Sequence, residues 1–379
     1  MSQLRILHVI TALETGGTET FLCRLLEKLP RDRFKSLVAS LVRPGHMGGR
    51  IRAQGVPLAN LGLRRGLPLP GAVKKLMGII DDFRPDLVQT WLYHADLLGL
   101  AAVRLSVEVP LVWNLRCTDL SAARPPLLTR ITAWACARLS RLPEAVVANS
   151  EAARDLHLAR GYRPREFLVL DNGVDPEVFR PDPLARAQVR KELGVDPQAP
   201  LVGLLARFDP LKDHAGFCAA AAKVAQTLPQ ARFLLCGTGA TQVNRELRAL
   251  VRQHGLQERL ILAGHRQDSP RVLAALDVLC SASRSESFPN TLIEAMSCGV
   301  PCASTDAGDS ARILGDTGRI VPPNDPEALA RALTDLLSRP QAEREALGSR
   351  CRERVLEHFT LESAARAYAG LYERLASRQ

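Results

Sequence analysis

The feature that most constrains this chain is an alternation. Short, continuous apolar runs give way to amphipathic stretches, and the pattern restarts after one proline-rich interval. In the first half LRILHVI (4–10) is followed by TETFLCRLLEKL (18–29). DLVQTW (86–91), PLVWNL (110–115) and EAVVANS (144–150) repeat the signal, each ahead of a helical stretch. Runs that are apolar at successive positions, rather than at every second one, read as strands buried on both faces of a parallel sheet. The segment FLVLDNGVDPEVFRPDP (167–183) interrupts the pattern. Its Asn172-Gly173 pair and the prolines Pro176, Pro181, Pro183 and Pro197 mark a linker. APLVGLLARF, ARFLLCG, RLILAG, LDVLCSAS and VPCAST then supply a second set of strands, and 325–357 and 360–376 are expected to be helical.

A chain of 379 residues exceeds one ordinary core. The expected fold is therefore α/β, with two Rossmann-like domains facing across a deep cleft that would take a ligand. The expected boundaries are 1–178 and 179–357, with a C-terminal helix, 358–379, crossing back to the first domain.

Composition narrows the function. Aromatic residues make up only 4% of the chain, which argues against a protein that stacks nucleic-acid bases. The net charge is +10, and residues 1–178 hold 24 Lys+Arg against 17 Asp+Glu, so the excess lies mainly in the first half. That balance suits anionic partners: phosphates, a nucleotide or an acidic membrane surface. Nine cysteines stand at irregular spacings without a zinc-finger pattern, and read as free thiols in a reducing compartment. No apolar window is long enough to span a membrane, and no P-loop or G-x-S-x-G signature occurs.

Three constellations carry possible chemistry. In GLLARFDPLKDH (203–214), Arg207 ends a strand and Lys212 follows five residues later. Such a pair can converge on one anion at the C-terminal edge of a parallel sheet. In SESFPNTLIEAM (285–296), Glu286 and Glu294 flank a helix start. Thr291 and Glu294 fit an S/T-x-x-E capping box, which accounts for Glu294 but not for Glu286. The backbone N–H groups of the helix start would donate to a phosphate. A carboxylate beside such a site fits one that accepts hydrogen bonds from sugar hydroxyls. Third, Gly16 and Gly17 lie between the first strand and the first helix, where they allow a close backbone approach to a ligand.

With these residues in place, the chain resembles the retaining family 4 glycosyltransferases, which have the two-domain GT-B fold. The resemblance spans nearly the whole length. It rests on TGGTETF, LDNGVDPEVF, ARFDPLKDH, FLLCGTG, SESFPNTLIEAMSCGVPCASTDAG and GRIVPPNDPEALA. It implies a nucleotide-diphosphate sugar donor, a UDP-sugar first among the candidates, bound mainly by the second domain. Arg207 and Lys212 would hold the diphosphate and stabilise it as leaving group. Glu294 would accept from the ribose hydroxyls and Glu286 would contact the donor sugar. Ser287, Phe288, Pro289, Asn290 and Thr291 would line the donor through their backbone, opposite Gly16 and Gly17. Catalysis would retain the anomeric configuration and need no cofactor and no metal.

Two positions depart from the family. Ser287 stands where many members have glycine, and Arg116 stands where many have a histidine that contacts the donor sugar. That role is either lost or passed to another residue: Arg116 itself or His94 in TWLYHADLLG, with Asn114 and Asp119 as weaker candidates. The acceptor, a saccharide or a lipid-linked saccharide of a surface polysaccharide or lipopolysaccharide pathway, would bind the first domain. In RPPLLTRITAWACARLSRLP (124–143), Leu128, Ile131, Ala135, Leu139 and Leu142 share one helical face, and Arg130, Trp134, Arg138 and Arg141 another. The basic face, together with RRGLPLPGAVKK (64–75), suits contact with an anionic membrane surface. The chain is expected to be cytoplasmic, peripheral at the inner face of the plasma membrane, with no nucleic-acid partner. The competing readings are a non-catalytic sugar-nucleotide-binding protein and a GT-B sugar-nucleotide epimerase.

Overall fold

The computed structural model describes residues 3–14, 16–63, 70–106, 108–116 and 127–377. The chain divides into two compact units: Met1–Gly173 together with Leu361–Gln379, and Val174–Thr360.

The first unit is built on seven parallel strands. They are β1 (Leu4–Ile10), β2 (Phe34–Ser40), β3 (Leu58–Asn60), β4 (Leu87–Trp91), β5 (Leu111–Leu115), β6 (Ala145–Ala148) and β7 (Phe167–Val169). Their order in the sheet is β3-β2-β1-β4-β5-β6-β7. The helices between them are α1 (Gly17–Lys28), α2 (His46–Ala53), α3 (Pro70–Phe83), α4 (Tyr93–Ser106), α5 (Leu127–Leu139) and α6 (Glu151–Ala159). The unbroken apolar runs are now explained. Ile6, Leu7, Val9 and Ile10 of β1 are all fully buried, because helices cover both faces of the sheet. The segment expected to be pure linker begins as β7, the edge strand of this sheet, whose Val146↔Phe167 register pairs it with β6.

The second unit holds β8 (Leu201–Leu205), β9 (Arg232–Cys236), β10 (Leu260–Gly264), β11 (Val278–Ser281), β12 (Cys302–Thr305) and β13 (Arg319–Val321). They form a parallel sheet in the order β10-β9-β8-β11-β12-β13. Its helices are α7 (Pro183–Glu192), α8 (His214–Thr227), α9 (Arg245–Gln253), α10 (Ser269–Ala274), α11 (Asn290–Ser297), α12 (Ser310–Leu314), α13 (Pro326–Leu337) and α14 (Gln341–His358). The helical tract expected over 325–357 is two helices, broken at Pro340, which lacks the N–H that a continuous helix would need.

The last helix, α15 (Leu361–Ala376), packs on the first unit. Its Tyr368 stacks on Trp91 with ring centroids 6.2 Å apart, and the Tyr372 hydroxyl donates to the Gln89 side chain at the sheet centre.

Each sheet reverses its winding once, between β1 and β4 in the first unit and between β8 and β11 in the second. At such a point neighbouring connections leave in opposite directions, and a crevice opens beyond the C-terminal ends of the strands.

The buried face of α5 is neither of the two faces that its periodicity sets out. In α5 the buried residues are Thr132, Ala133, Cys136 and Ala137, not the leucine-isoleucine face. Leu127, Ile131, Trp134 and Leu139 are 69%, 52%, 60% and 38% exposed. The small residues win because they let α5 approach closely: the Cys136 thiol reaches the Tyr93 carbonyl at the start of α4, at 3.5 Å. No helix among the described residues is long and apolar enough to cross a membrane, and the eight described cysteines are free and buried.

Candidate active site

In the second unit the candidates gather at the reversal between β8 and β11. Beyond β8 the chain is held to the turn after β9: Ala206 N–H donates to the Cys236 carbonyl at 2.9 Å and Phe208 N–H to the Thr238 carbonyl at 2.7 Å. This fixes the backbone on both sides of Arg207. The Arg207 side chain is 64% exposed, and its Nε donates to Asp209 Oδ2 at 3.1 Å. Asp209 Oδ1 accepts from Leu211 N–H at 2.9 Å and starts the single 3-10 turn Pro210–Lys212 that presents Lys212. Asp213 follows in the left-handed region (φ 46°) and accepts from Gly216 N–H at 3.1 Å, capping α8.

The loop after β11 meets this turn. Arg284 N–H donates to the Leu211 carbonyl at 2.8 Å, and the Arg284 guanidinium to Asp213 Oδ1 at 2.8 Å. Across this junction Lys212 Nζ is ion-paired with Glu286 Oε1, and the same oxygen accepts from Ser283 Oγ at 2.7 Å. Arg207 and Lys212 are thus each set against a carboxylate, Asp209 and Glu286, on the edge expected to meet an anion.

Glycine at 308 backs the loop. Its φ is +59°, and a Cβ there would lie 2.4 Å from the Glu286 carbonyl oxygen and 2.5 Å from that of Ser287. Asp309 N–H then donates to the Ser287 carbonyl at 3.2 Å. The next residue of the loop, Phe288, is buried against Phe359, with centroids 6.0 Å apart, so its side chain anchors the segment from within. The capping box expected from Thr291 and Glu294 does not form. The helix starts two residues earlier, at Asn290, and its cap position is Pro289, which makes no side-chain capping bond. Proline has no N–H to return a bond to, and its fixed φ suits a helix entry. Thr291 consequently lies inside the first turn and Glu294 one turn further along, both half-buried.

In the first unit, Gly16 is extended at the cap of α1 and Gly17 begins the helix, beyond the C-terminal end of β1. His94 lies in the first turn of α4, beyond β4, and burial lowers its pKa from the usual value. The residue between β4 and α4, Leu92, is held at φ 74°, a conformation costly for a branched side chain. These three positions flank the reversal between β1 and β4.

Arg116 is buried among aromatic rings. It is 8% exposed, and its guanidinium lies 4.2 Å over the Phe21 ring and 5.6 Å from that of Trp91. Its Nη2 donates to Asn172 Oδ1 at 2.6 Å, at the end of the first unit's main segment. Neighbouring Asn114 donates to the Tyr368 hydroxyl of α15 at 2.8 Å. Both side chains thus sit in the aromatic pack beneath α1 and α15. Asp119 lies outside the described residues.

Sequence reasoning had not singled out Ser283, Arg284, Asp213 or Gly308. Ser283 and Arg284 stand next to Glu286 in a run of polar residues that carries no period. The role of Gly308 depends on contact with a segment about 20 residues away.

Residues 15–178 match the family model described as Glycosyltransferase Family 4, and residues 199–339 that of Glycosyl transferases group 1. The chain is 28% identical to the 2-deoxystreptamine glucosyltransferase of Streptomyces kanamyceticus, over the whole of both chains. It is 22% identical to the UDP-Gal:alpha-D-GlcNAc-diphosphoundecaprenol alpha-1,3-galactosyltransferase of Escherichia coli, over 98% of this chain and 97% of that one. The fold matches that of Anabaena HepE, solved in complex with UDP and glucose, with a TM-score of 0.84, 23% identity, and 98% and 100% of the two chains covered. With two family models that between them take in most of both units, and an α/β fold of two parallel sheets, the chain belongs to the family 4, group 1 glycosyltransferases of GT-B fold.

Proposed function

We propose that this glycosyltransferase moves a hexosyl group from a UDP-sugar to a saccharide or lipid-linked saccharide, with retention at the anomeric carbon and without a divalent metal. The observation that carries the donor reading is the junction of the β8 and β11 loops at the sheet reversal, where Lys212 pairs with Glu286 in the loop that leads into α11. Arg207 and Lys212 hold the diphosphate and stabilise it as it leaves. The backbone of Ser287, Phe288, Pro289, Asn290 and Thr291 lines it. Glu286 accepts from a donor-sugar hydroxyl and Glu294 from the ribose.

Two fixed cations and a helix N-terminus supply the charge stabilisation that a metal supplies in other transferases, and loss of one such group costs roughly 10²–10³ in rate. Gly16, Gly17 and His94 are the first unit's contacts to the donor, and Arg116 acts through the packing of α1 rather than by touch. Relatives named for transfer from UDP-galactose to a diphosphoundecaprenol-linked sugar and for lipopolysaccharide core biosynthesis support a surface-saccharide setting. A cytoplasmic chain, peripheral at the inner face of the plasma membrane, is part of the same proposal. The binding-protein and epimerase readings gain nothing from the comparisons.

The test is calorimetric titration with UDP, GDP and ADP in the presence of a chelator, on the wild type and on Lys212→Ala and Glu294→Ala, followed by NMR of the product anomer. UDP binding that both variants lose, and a retained anomer, are expected. Binding that depends on added metal, or an inverted product, overturns the metal-free or the retaining assignment respectively.

A further inference from the structure

The exposed face of α5 is a feature of the first unit that the transfer reaction leaves unused. At about 100° per residue, Arg130, Trp134, Leu127, Arg138 and Ile131 fall within about 120° of the helix surface, and Arg141 follows in the turn that ends the helix. All six are exposed. The opposite side is the one taken up by the small residues that dock on α4. Three large apolar side chains standing in water, each flanked by an arginine, form neither a core nor an ordinary solvated face. From Leu127 to Leu142 the chain holds three arginines and no acidic residue.

The neighbouring elements add to the positive charge. Arg104 of α4 donates to the Leu142 carbonyl at 3.1 Å, and Arg163 N–H reaches Ser140 Oγ at 2.8 Å. The first acid beyond the helix, Glu144, is engaged by Leu111 N–H at 2.6 Å. Within the face, the Arg138 guanidinium lies 5.0 Å from the Trp134 ring centre. That contact keeps the indole and the cation side by side at one level.

We propose that this face is a membrane-docking site, which seats α5 parallel to a bilayer surface containing anionic phospholipid. Trp134, Ile131 and Leu127 enter the headgroup–acyl boundary, while Arg130, Arg138 and Arg141 meet lipid phosphates. An indole beside a guanidinium suits that boundary, where one side is apolar and the other wet and negatively charged. Each arginine near an anionic leaflet contributes roughly a factor of five in affinity. The inference rests on the peripheral placement proposed above and is independent of the donor chemistry.

The protein carries its own probe. Of the three tryptophans, Trp91 and Trp113 are fully buried and Trp134 is 60% exposed, so a change of emission toward the blue reports Trp134. The experiment adds the full chain to phosphatidylcholine vesicles with and without phosphatidylglycerol, measuring co-sedimentation, emission and quenching by brominated lipid. Binding only to the anionic vesicles is expected, with a blue shift and quenching, weakened by salt. Arg130→Ser with Arg138→Ser should weaken it roughly 25-fold, and Ile131→Ser with Trp134→Ser should abolish it. Because these side chains face water, both variants should bind UDP as the wild type does, which separates failure of the docking site from failure of the donor site. Absence of binding, binding with unchanged emission, binding equally strong without phosphatidylglycerol, or a blue shift produced by self-association without vesicles would each overturn the assignment.

Discussion

The loop that carries Glu286, Ser287 and Phe288 is held by a contact that one methyl group should break. Gly308 has φ +59°, and a Cβ there would stand 2.4 Å from the Glu286 carbonyl oxygen and 2.5 Å from that of Ser287. Ordinary contact needs about 3.5 Å, so Gly308→Ala must push this loop back by about 1 Å. The left-handed backbone itself costs an alanine about 1–2 kcal/mol. Gly194 provides the control: it also has positive φ, +66°, in the same unit, but nothing lies within 4 Å of its Cβ position. Gly194→Ala should therefore show the backbone cost alone. Gly308→Ala should show that cost and, in addition, a displaced donor loop. A displacement of about 1 Å can cost on the order of 10²-fold in activity. Urea unfolding gives the stability of each variant, UDP calorimetry the affinity, and transfer assays the rate. The expected result is a loss of about 1–2 kcal/mol for Gly194→Ala with UDP binding unchanged. Gly308→Ala should lose more stability and at least tenfold in UDP affinity. If the two variants bind UDP equally well, the Glu286–Phe288 loop is not part of the donor site and the argument from its clamping is refuted.

Other expectations follow from single contacts. Glu286→Gln removes the carboxylate that pairs with Lys212; with side chains 14% and 25% exposed, the loss should be about 1–2 kcal/mol, and a double-mutant cycle with Lys212→Met in which the two changes simply add would show that the pair is not coupled. His214 is held down to about 4 from 6.5 by burial. The unfolded chain therefore takes up this proton at pH 6.5 but the folded chain only near 4, so the histidine's share of stability is intact above 6.5 and is lost as pH falls toward 4. His214→Leu should flatten the dependence of unfolding free energy on pH by about 1.4 kcal/mol per pH unit in that window, and an unchanged slope would contradict a neutral, buried His214. Arg116→Met keeps the bulk against Phe21 and Trp91 while removing a buried charge; replacements of this kind are near neutral or stabilising, so its melting temperature should hold or rise, and a collapse of the fold would show that the Asn172 bond outweighs the cost of burying the guanidinium.

Much of the fold could be read along the chain because buried parallel strands are apolar at every position. LRILHVI coincides with β1, Leu4–Ile10, and the runs at 86–91 and 110–115 each differ from their strands by one residue. These signals are local, and so are the spacings of Arg207 to Lys212 and of Glu286 to Glu294 that carry the family resemblance. Strands such as β3, Leu58–Asn60, and β13, Arg319–Val321, were not singled out, because three residues at a sheet edge carry too little pattern.

What the tertiary structure alone decided are choices among partners. The pairing of Lys212 with Glu286 joins residues 74 apart in the chain, and no local rule selects it over a phosphate or a solvated cation. That Arg116 lies over Phe21, near Trp91, and donates to Asn172 is likewise a choice of partners that no local pattern states. The α5 sequence offers an apolar face and a basic face, yet the helix docks by its alanines, threonine and cysteine. Periodicity records which side chains share a face, but which face is buried depends on how closely a neighbouring helix can approach, and that is set by the size of the side chains between them.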